Sequence, residues 1–503
     1  MVRIALPGYS LLIAASAAVV LWLSTSEGVC PAAELWVGAA TADITPDRPV
    51  PLTGMKSVRI SRCILSRLTA NVLALEARKD GKVVDQAILV SCDLCVIRAG
   101  IQQGFRKHVA GRLPGFDVRK LFLAATHTHT APVLLQNRYD EKDYGNAMQP
   151  KEYVPFLYQR MAEAVVKAWE GRVRGAMAWG LGHAVVGQNR RVAFSDGSAA
   201  MYGNTNTPAF RQIEGYEDHA VDVLCFYDGT GRLKAAAIVL ACPAQSLGGD
   251  LLSADFWHDA RELLQKRHGR DLCVLGFCAP AGDQAPNRLY RQGTETRMDR
   301  LRGLTQTQEL GRRIADAFDD VADVIGKDIR TDVPLAHRVQ QVDLPARKIS
   351  QSEYAEAKKT CDDIDAKKQK GPTDVWTRHF SGLVVQRYEA QQKADPVYAM
   401  EMHVLRLGDV VIATNPFELY ADYGVQIQAR SEAPQTVLIQ LAAAQDAAYY
   451  VPTPRAVKAG GYSATATHNL IGPEGAQVLV DRTVDAINWW KVDEETAPCP
   501  ARR

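Results

Sequence analysis

Two stretches read strand, turn, strand, and they restrict the fold more than any other feature of the chain. Leu68–Glu76 (LTANVLALE) and Val83–Val90 alternate or run apolar, and Lys79-Asp80-Gly81-Lys82 between them is a hairpin turn. Ala220–Tyr227 and Leu233–Leu240 repeat the pattern around Asp228-Gly229-Thr230-Gly231. Helical apolar spacing lies between and after them, at Ile101–Leu113, Tyr153–Trp169, Phe256–Arg267 and Leu310–Ile325. Further strands are predicted at Met177–Val186, Asp271–Phe277, Glu401–Leu407, Val410–Thr414 and Val437–Leu441, with helices at Phe417–Arg430 and Gly475–Trp490. Hairpins set among helices without a regular βαβ rhythm predict an α/β fold of the mixed, α+β kind, with mixed sheets covered by helices. No fixed repeat or low-complexity linker interrupts 34–495, which reads as one large domain. Within it the charged stretch Ser352–Gln392 reads as a solvated helical surface layer.

The N-terminus is of another kind. Arg3 is followed by an uncharged run from Ile4 to Ser26, with its most apolar part at Leu11–Leu23. Residues 1–33 read as a signal peptide or an N-terminal anchor, so the rest of the chain is expected to be exported: periplasmic, extracellular or membrane-anchored. With 59 basic and 57 acidic residues and no polybasic block, nothing favours nucleic acid as a partner. Several of the ten cysteines fall inside apolar strand-like runs and read as small buried hydrophobes. Cys92-x-x-Cys95 has no second such pair to complete a metal site.

Chemistry gathers at LFLAATHTHTAP, Leu121–Pro132. A short buried strand, Leu121–Ala125, stops, and His127 and His129 follow at i, i+2, the spacing that puts two side chains on one side of an extended chain. A strand end opens into loops, where sites collect. Imidazole serves as metal ligand and as general base, and it also serves as a hydrogen-bonded structural group; these residues alone leave all three open.

The THTHTAP segment, Thr126–Pro132, resembles the THTHSGP segment of the neutral, non-lysosomal ceramidases. Other matches follow in chain order. Gly38–Pro46 resembles the family's mature N-terminal segment ending in DITP, and Gln188-Asn189-Arg190-Arg191 its Asn-Arg segment. Gly282–Asn287 is similar to its GDxSPN, Asn415–Glu418 to its PGE, and Tyr449–Thr453 with Gly460-Gly461-Tyr462 to its paired tyrosine segments. The resemblance spans most of 36–490. It implies a ceramidase-like catalytic fold and one zinc ion, held by His127, Glu418 and Tyr450. It implies catalytic roles for His129 as proton carrier, for Arg190 and Tyr462 at the scissile amide, and for Asp283 in the GDxSPN-like segment. The implied substrate is an N-acyl lipid such as a sphingolipid, or another amide or ester. Membrane association through the N-terminal segment would suit a lipid.

The chain departs from the family in three places. The second zinc histidine lies in an A-x-HP segment, and here that stretch is Ala241-Cys242-Pro243-Ala244-Gln245. His258, Cys242 or Gln245 is left to replace it, and His258 is the ligand expected; imidazole and thiolate bind zinc better than an amide does. Ala285 stands where the family has its serine, which excludes a serine-dependent step there and is expected to leave room for a water. The family's C-terminal immunoglobulin-like domain is not expected, because the sequence ends soon after Trp490. Two readings follow: a zinc-dependent amidohydrolase, or an inactive ligand-binding relative on the same scaffold.

Overall fold

The computed structural model describes residues 28–29, 33–98, 100–136, 138–442 and 449–491. Both hairpins close where the sequence predicts them. Thr69–Lys79 pairs antiparallel with Lys82–Cys92, and Ala220–Asp228 with Leu233–Leu240. Asp80 and Gly81 turn the first hairpin with φ of 51° and 74°, a conformation that Asp and Gly tolerate.

Both hairpins belong to one eight-stranded sheet. Its order is Cys273–Cys278, Leu233–Leu240, Ala220–Asp228, Val173–His183, Glu34–Asp43, Thr69–Lys79, Lys82–Cys92 and Leu121–Ala125. The inner pairs are antiparallel, and the pair at each edge is parallel. The sheet curls until its two edge regions meet: Ser91 Oγ donates to the Gly276 carbonyl at 2.6 Å. A second sheet, Leu335–Pro345, Val397–Leu407, Val410–Thr414 and Gln435–Ile439, also ends in a parallel pair. Ala124 bridges to Ala442 and joins the two sheets.

One apolar core runs through both sheets, from Leu35 and Leu73 through Phe122 to Leu405 and Ile439. Each such fully buried side chain contributes about 1.5–3 kcal/mol over leaving it in water. The helix Pro150–Glu170 covers Glu34–Asp43 and Thr69–Lys79, while Phe256–His268 and Gln306–Ile325 pack together over the other half of that sheet. This is the mixed, helix-covered α/β architecture that the sequence predicts.

Three stretches differ from the sequence reading. Leu335–Pro345 (LAHRVQQVDLP) is a long strand whose polar residues hide the pattern, since about half of it faces outward. The helix expected from Phe417 starts at Ala421, because Glu418-Leu419 pairs in parallel with Tyr450-Val451. Ser352–Gln392 does form helices, Gln351–Asp365 and Asp374–Gln391. The second is more than a solvated face, since Trp376 and Phe380 are buried in an aromatic cluster with Tyr449. The segment 1–33 lies outside the described residues except for Gly28, Val29 and Ala33. No helix among the described residues is long and apolar enough to cross a membrane.

The parallel pairs decide where chemistry can occur. Paired parallel strands end on the same side, and ligand sites of α/β sheets lie beyond their carboxyl ends. Three such pairs point their ends at one place. The first delivers Cys95, His127 and His129; the second delivers Gln245 and Asn287; the third delivers Glu418 and Tyr450. Gln440, buried, ties the ends together. Its side-chain oxygen accepts from the backbone N–H groups of Ala281 (3.2 Å) and Leu419 (2.9 Å). At Gly282 the chains come so close that a Cβ would lie 2.2 Å from the Glu418 carbonyl oxygen, so only glycine fits.

Candidate metal centre

The strand ends enclose a cavity of about 420 Å³, and His127, His129, Arg190, Glu418, Tyr450 and Tyr462 all line it. Six of the eight residues expected at the site are therefore brought together.

The THTHT run explains itself in the structure. The threonines face the protein: Thr128 and Thr130 donate to the Ser253 carbonyl at 2.7 and 2.9 Å, and Thr126 to Asp93 at 3.3 Å. Asp93 is in turn held by both terminal nitrogens of Arg261, at 2.7 and 3.0 Å, with every partner buried. The histidines, on the alternate positions, face the cavity. The backbone N–H groups of Thr126 and His127 donate to the carbonyls of Cys92 and Leu94, which lays the segment along the Cys92–Cys95 turn.

His127 has φ 66°, a left-handed conformation rarely adopted by a side-chain-bearing residue. Its Nδ1 lies 2.6 Å from the Cys95 carbonyl oxygen. A carbonyl only accepts, so Nδ1 carries the proton and Nε2 presents its lone pair. That lone pair faces His129 Nε2 at 3.3 Å and Glu418 Oε2 at 3.6 Å. Burial lowers the pKa of His127, with Glu418 opposing, and holds His129 well below the usual range, helped by His127 and Arg190. Both rings are neutral, the form that binds metal.

Cys95 completes the group. Its sulfur and one nitrogen from each of the two histidines all lie within 4.8 Å of one another. Burial pushes its thiol up to about 11, so only a bound cation would deprotonate it near neutral pH. The donor set suits zinc: two imidazoles, a carboxylate and a sulfur. The spacing suits it too, because two nitrogens on one tetrahedral zinc, each at roughly 2.0–2.1 Å, lie about 3.3 Å apart.

Arg190 and the tyrosines form the opposite wall. Arg190 donates to Tyr202 Oη (2.7 Å) and the Gly282 carbonyl (2.9 Å), and approaches Tyr450 Oη (3.5 Å) and Glu418 (3.8 Å). Burial raises the pKa of Tyr450 well above its ordinary value and that of Tyr462 to about 12. Both phenols keep their protons and can donate them in hydrogen bonds.

The other expected residues are elsewhere. His258 sits on the first turn of Phe256–His268 beside Asp259 and does not line the cavity. The sequence reading of His258 as a ligand is corrected here: its helix packs behind the strand end that carries Cys242. Cys242 is fully buried and also away from the cavity wall; Gln245 reaches the wall and donates to Tyr202 Oη at 3.3 Å. Asp283 is buried behind the wall, accepting from Asn189 Nδ2 (2.7 Å) and the Ala421 N–H (3.0 Å), while its carbonyl accepts from Arg190 N–H. It positions Arg190 and touches nothing in the cavity. Ala285 pairs with Gln188 in a short ladder and is fully buried, so the space left by its missing hydroxyl does not open into the cavity.

Sequence reasoning missed Cys95, Arg98, Arg138, Trp376, Phe380 and His468, which also line the cavity. Only the Cys92-x-x-Cys95 spacing held a signal, and it misled: Cys92 is a core residue and Cys95 alone reaches the histidines.

Solved structures with this arrangement of elements exist. A ceramidase complexed with C2 superposes with TM-score 0.64, at 17% identity, over 93% of this chain and 77% of that one. The neutral ceramidase from Pseudomonas aeruginosa gives 0.66, at 19% identity, over 93% and 76%. The fold is that of the neutral ceramidases. At such identity the likeness reaches the ceramidase fold and stops there. No protein-family model and no curated sequence matches the chain.

Proposed function

We propose that the chain is a metal-dependent hydrolase that cleaves an amide or ester with water, on a ceramidase fold whose catalytic domain spans 34–495. The observation that carries the proposal is that one donor atom each of Cys95, His127 and His129 lie within 4.8 Å of one another, with Glu418 Oε2 3.6 Å from His127 Nε2. His127, His129 and Glu418 would hold one zinc ion, with Cys95 or Tyr450 completing the set. His129 and Cys95 thereby supply what Pro243 cannot. When bound, zinc lowers the pKa of a water to about 7 and polarises a carbonyl.

The chain's own groups account for the rest. The Cys95 carbonyl fixes the tautomer and orientation of His127. Glu418 stands 3.6 Å from His127 Nε2 and 3.8 Å from Arg190, so its carboxylate would bind the ion while the guanidinium orients it. Arg190 and the protonated hydroxyls of Tyr450 and Tyr462 aim donors at one side of the cavity, where an oxyanion would form. The balance is that of hydrolysis: the acyl carbon gains the water's oxygen as its bond to nitrogen or oxygen breaks, and the leaving atom gains a proton. An N-acyl lipid suits the aromatic mouth, and export to a membrane surface through residues 1–33 would bring the site to such a substrate.

The departure at Pro243 favours a second reading, a relative that binds the same ligand without turnover. Glu418→Gln separates the two. Hydrolysis of an N-acyl substrate by the wild type that disappears in this variant establishes the enzyme. Saturable binding without turnover in both proteins establishes the binder.

A further inference from the structure

The cavity is cationic. Arg59, Arg98, Arg138 and Arg190 line it, and Glu418 is the one acidic side chain among its lining residues. Lys56 adds a fifth positive charge at the mouth, 4.9 Å from the Trp376 ring and 5.2 Å from the Tyr462 ring.

Arg59 and Arg190 have structural duties. Arg59 clamps the carbonyls of Thr53, His129 and Gly249, and Arg190 is held by Tyr202 and Gly282. Arg138 is hydrogen-bonded to the Tyr139 hydroxyl and lies 5.8 Å from its ring centroid, which leaves its charge unpaired by this contact. Arg98 and Arg138 are both half-buried, and no carboxylate forms an ion pair with either among the described residues. Burial lowers the pKa of Arg98 and its like-charged neighbour Arg138 adds to this, while Tyr449, Cys95 and Glu418 oppose it. Arg138 lies over the Phe380 ring at 5.2 Å. Two neighbouring guanidiniums repel each other, and an anion that bridges them removes that repulsion.

Four arginines and one carboxylate among the lining residues favour an anionic ligand over a neutral amide, which offers one carbonyl.

We propose that the substrate is a small anionic amide or ester, whose carboxylate or phosphate is bound by Arg98 and Arg138 beside the hydrolytic centre. The proposal rests on the hydrolase reading for its reaction, though not for its binding. The aromatic rings around the pair, Trp376, Phe380 and Tyr449, receive the apolar part.

The test compares four N-acyl probes of matched length on the full chain supplied with zinc. N-hexanoylglycine and N-hexylsuccinamate carry a carboxylate on the amine side and the acyl side. N-hexanoyl-phosphoethanolamine carries a phosphate, and N-hexanoylethanolamine is neutral. Binding is read by calorimetry and turnover by amine release. At least one anionic probe should exceed the neutral one by about tenfold or more in affinity and in kcat/KM. Arg98→Gln and Arg138→Gln, made singly and together, should remove that preference by weakening the anionic probe, with the neutral probe unchanged as the check on folding. Equal or better handling of the neutral probe overturns the proposal, as does a preference that survives the double variant. Anion binding that depends on the two arginines, without turnover of any probe, supports it and overturns the hydrolase reading instead.

Discussion

His127 Nδ1 lies 2.6 Å from the carbonyl oxygen of Cys95, and that contact determines which ring nitrogen faces the cavity. It also fixes a backbone that the residue does not favour. A left-handed conformation costs a side-chain-bearing residue roughly 1–2 kcal/mol, which glycine avoids. His127→Gly and His127→Ala lose the same ring and differ in this term. The glycine variant should be the more stable of the two by about 1 kcal/mol, read by denaturant titration, with both inactive. Equal stabilities would mean that the φ of 66° is not the native one.

Gly54 supports the second histidine. It has φ 91°, and a Cβ there would lie 2.5 Å from His129 Cγ. Gly54→Ala should lower stability by about 1 kcal/mol or more and displace the His129 ring. Activity should fall at least about tenfold, since small misplacements at reacting groups are costly. Unchanged kcat/KM in a folded Gly54→Ala protein would remove His129 from the site.

The threonine face of THTHT depends on Asp93. Its carboxylate accepts from Arg261, from Thr126 and from the backbone and hydroxyl of Thr69. Asp93→Ala leaves the Arg261 guanidinium buried without its partner. The expected loss is roughly 3–5 kcal/mol, measured by chemical denaturation. A loss under about 1 kcal/mol would show that water reaches Arg261 freely.

Asp222 predicts a pH dependence. It is buried on the strand Ala220–Asp228, accepts from Gln435 Nε2 at 2.7 Å, and burial raises its pKa from 3.8 to about 7. A carboxyl whose pKa is higher folded than unfolded contributes stability that is complete below the unfolded value. That contribution is lost as pH rises through about 7. Asp222→Asn lacks the group, so the difference in stability between variant and wild type should shift towards the variant between pH 4 and 7, by calorimetry. A difference independent of pH would show that Asp222 titrates alike in both states.

Much of this was legible in the sequence, for physical reasons that can be named. The two hairpins announce themselves through period-two patterning and Gly turns. His127, Glu418, Tyr450, Arg190 and Tyr462 follow from ordered motif resemblance, and the cavity gathers them. Leu335–Pro345 was hidden because one face of it is polar. His258 looked available because spacing along the chain cannot show that its helix turns it away from the strand ends. The sequence does not single out Cys95, because an apolar neighbourhood suits a core cysteine as well as a metal ligand. Arg98, Arg138 and Trp376 come from segments far apart in the chain, and only the tertiary fold makes them neighbours.

The central claim is that His127, His129 and Glu418 hold a metal that the hydrolysis needs. The most direct test is the metal content of the purified, zinc-incubated and desalted full chain by elemental analysis, alongside His127→Ala with its folding checked by circular dichroism. The account predicts about one zinc per wild-type chain and under about a tenth of that in the variant, with unchanged secondary structure. Less than a tenth of an equivalent in the wild type, or a full equivalent retained by His127→Ala, would contradict it.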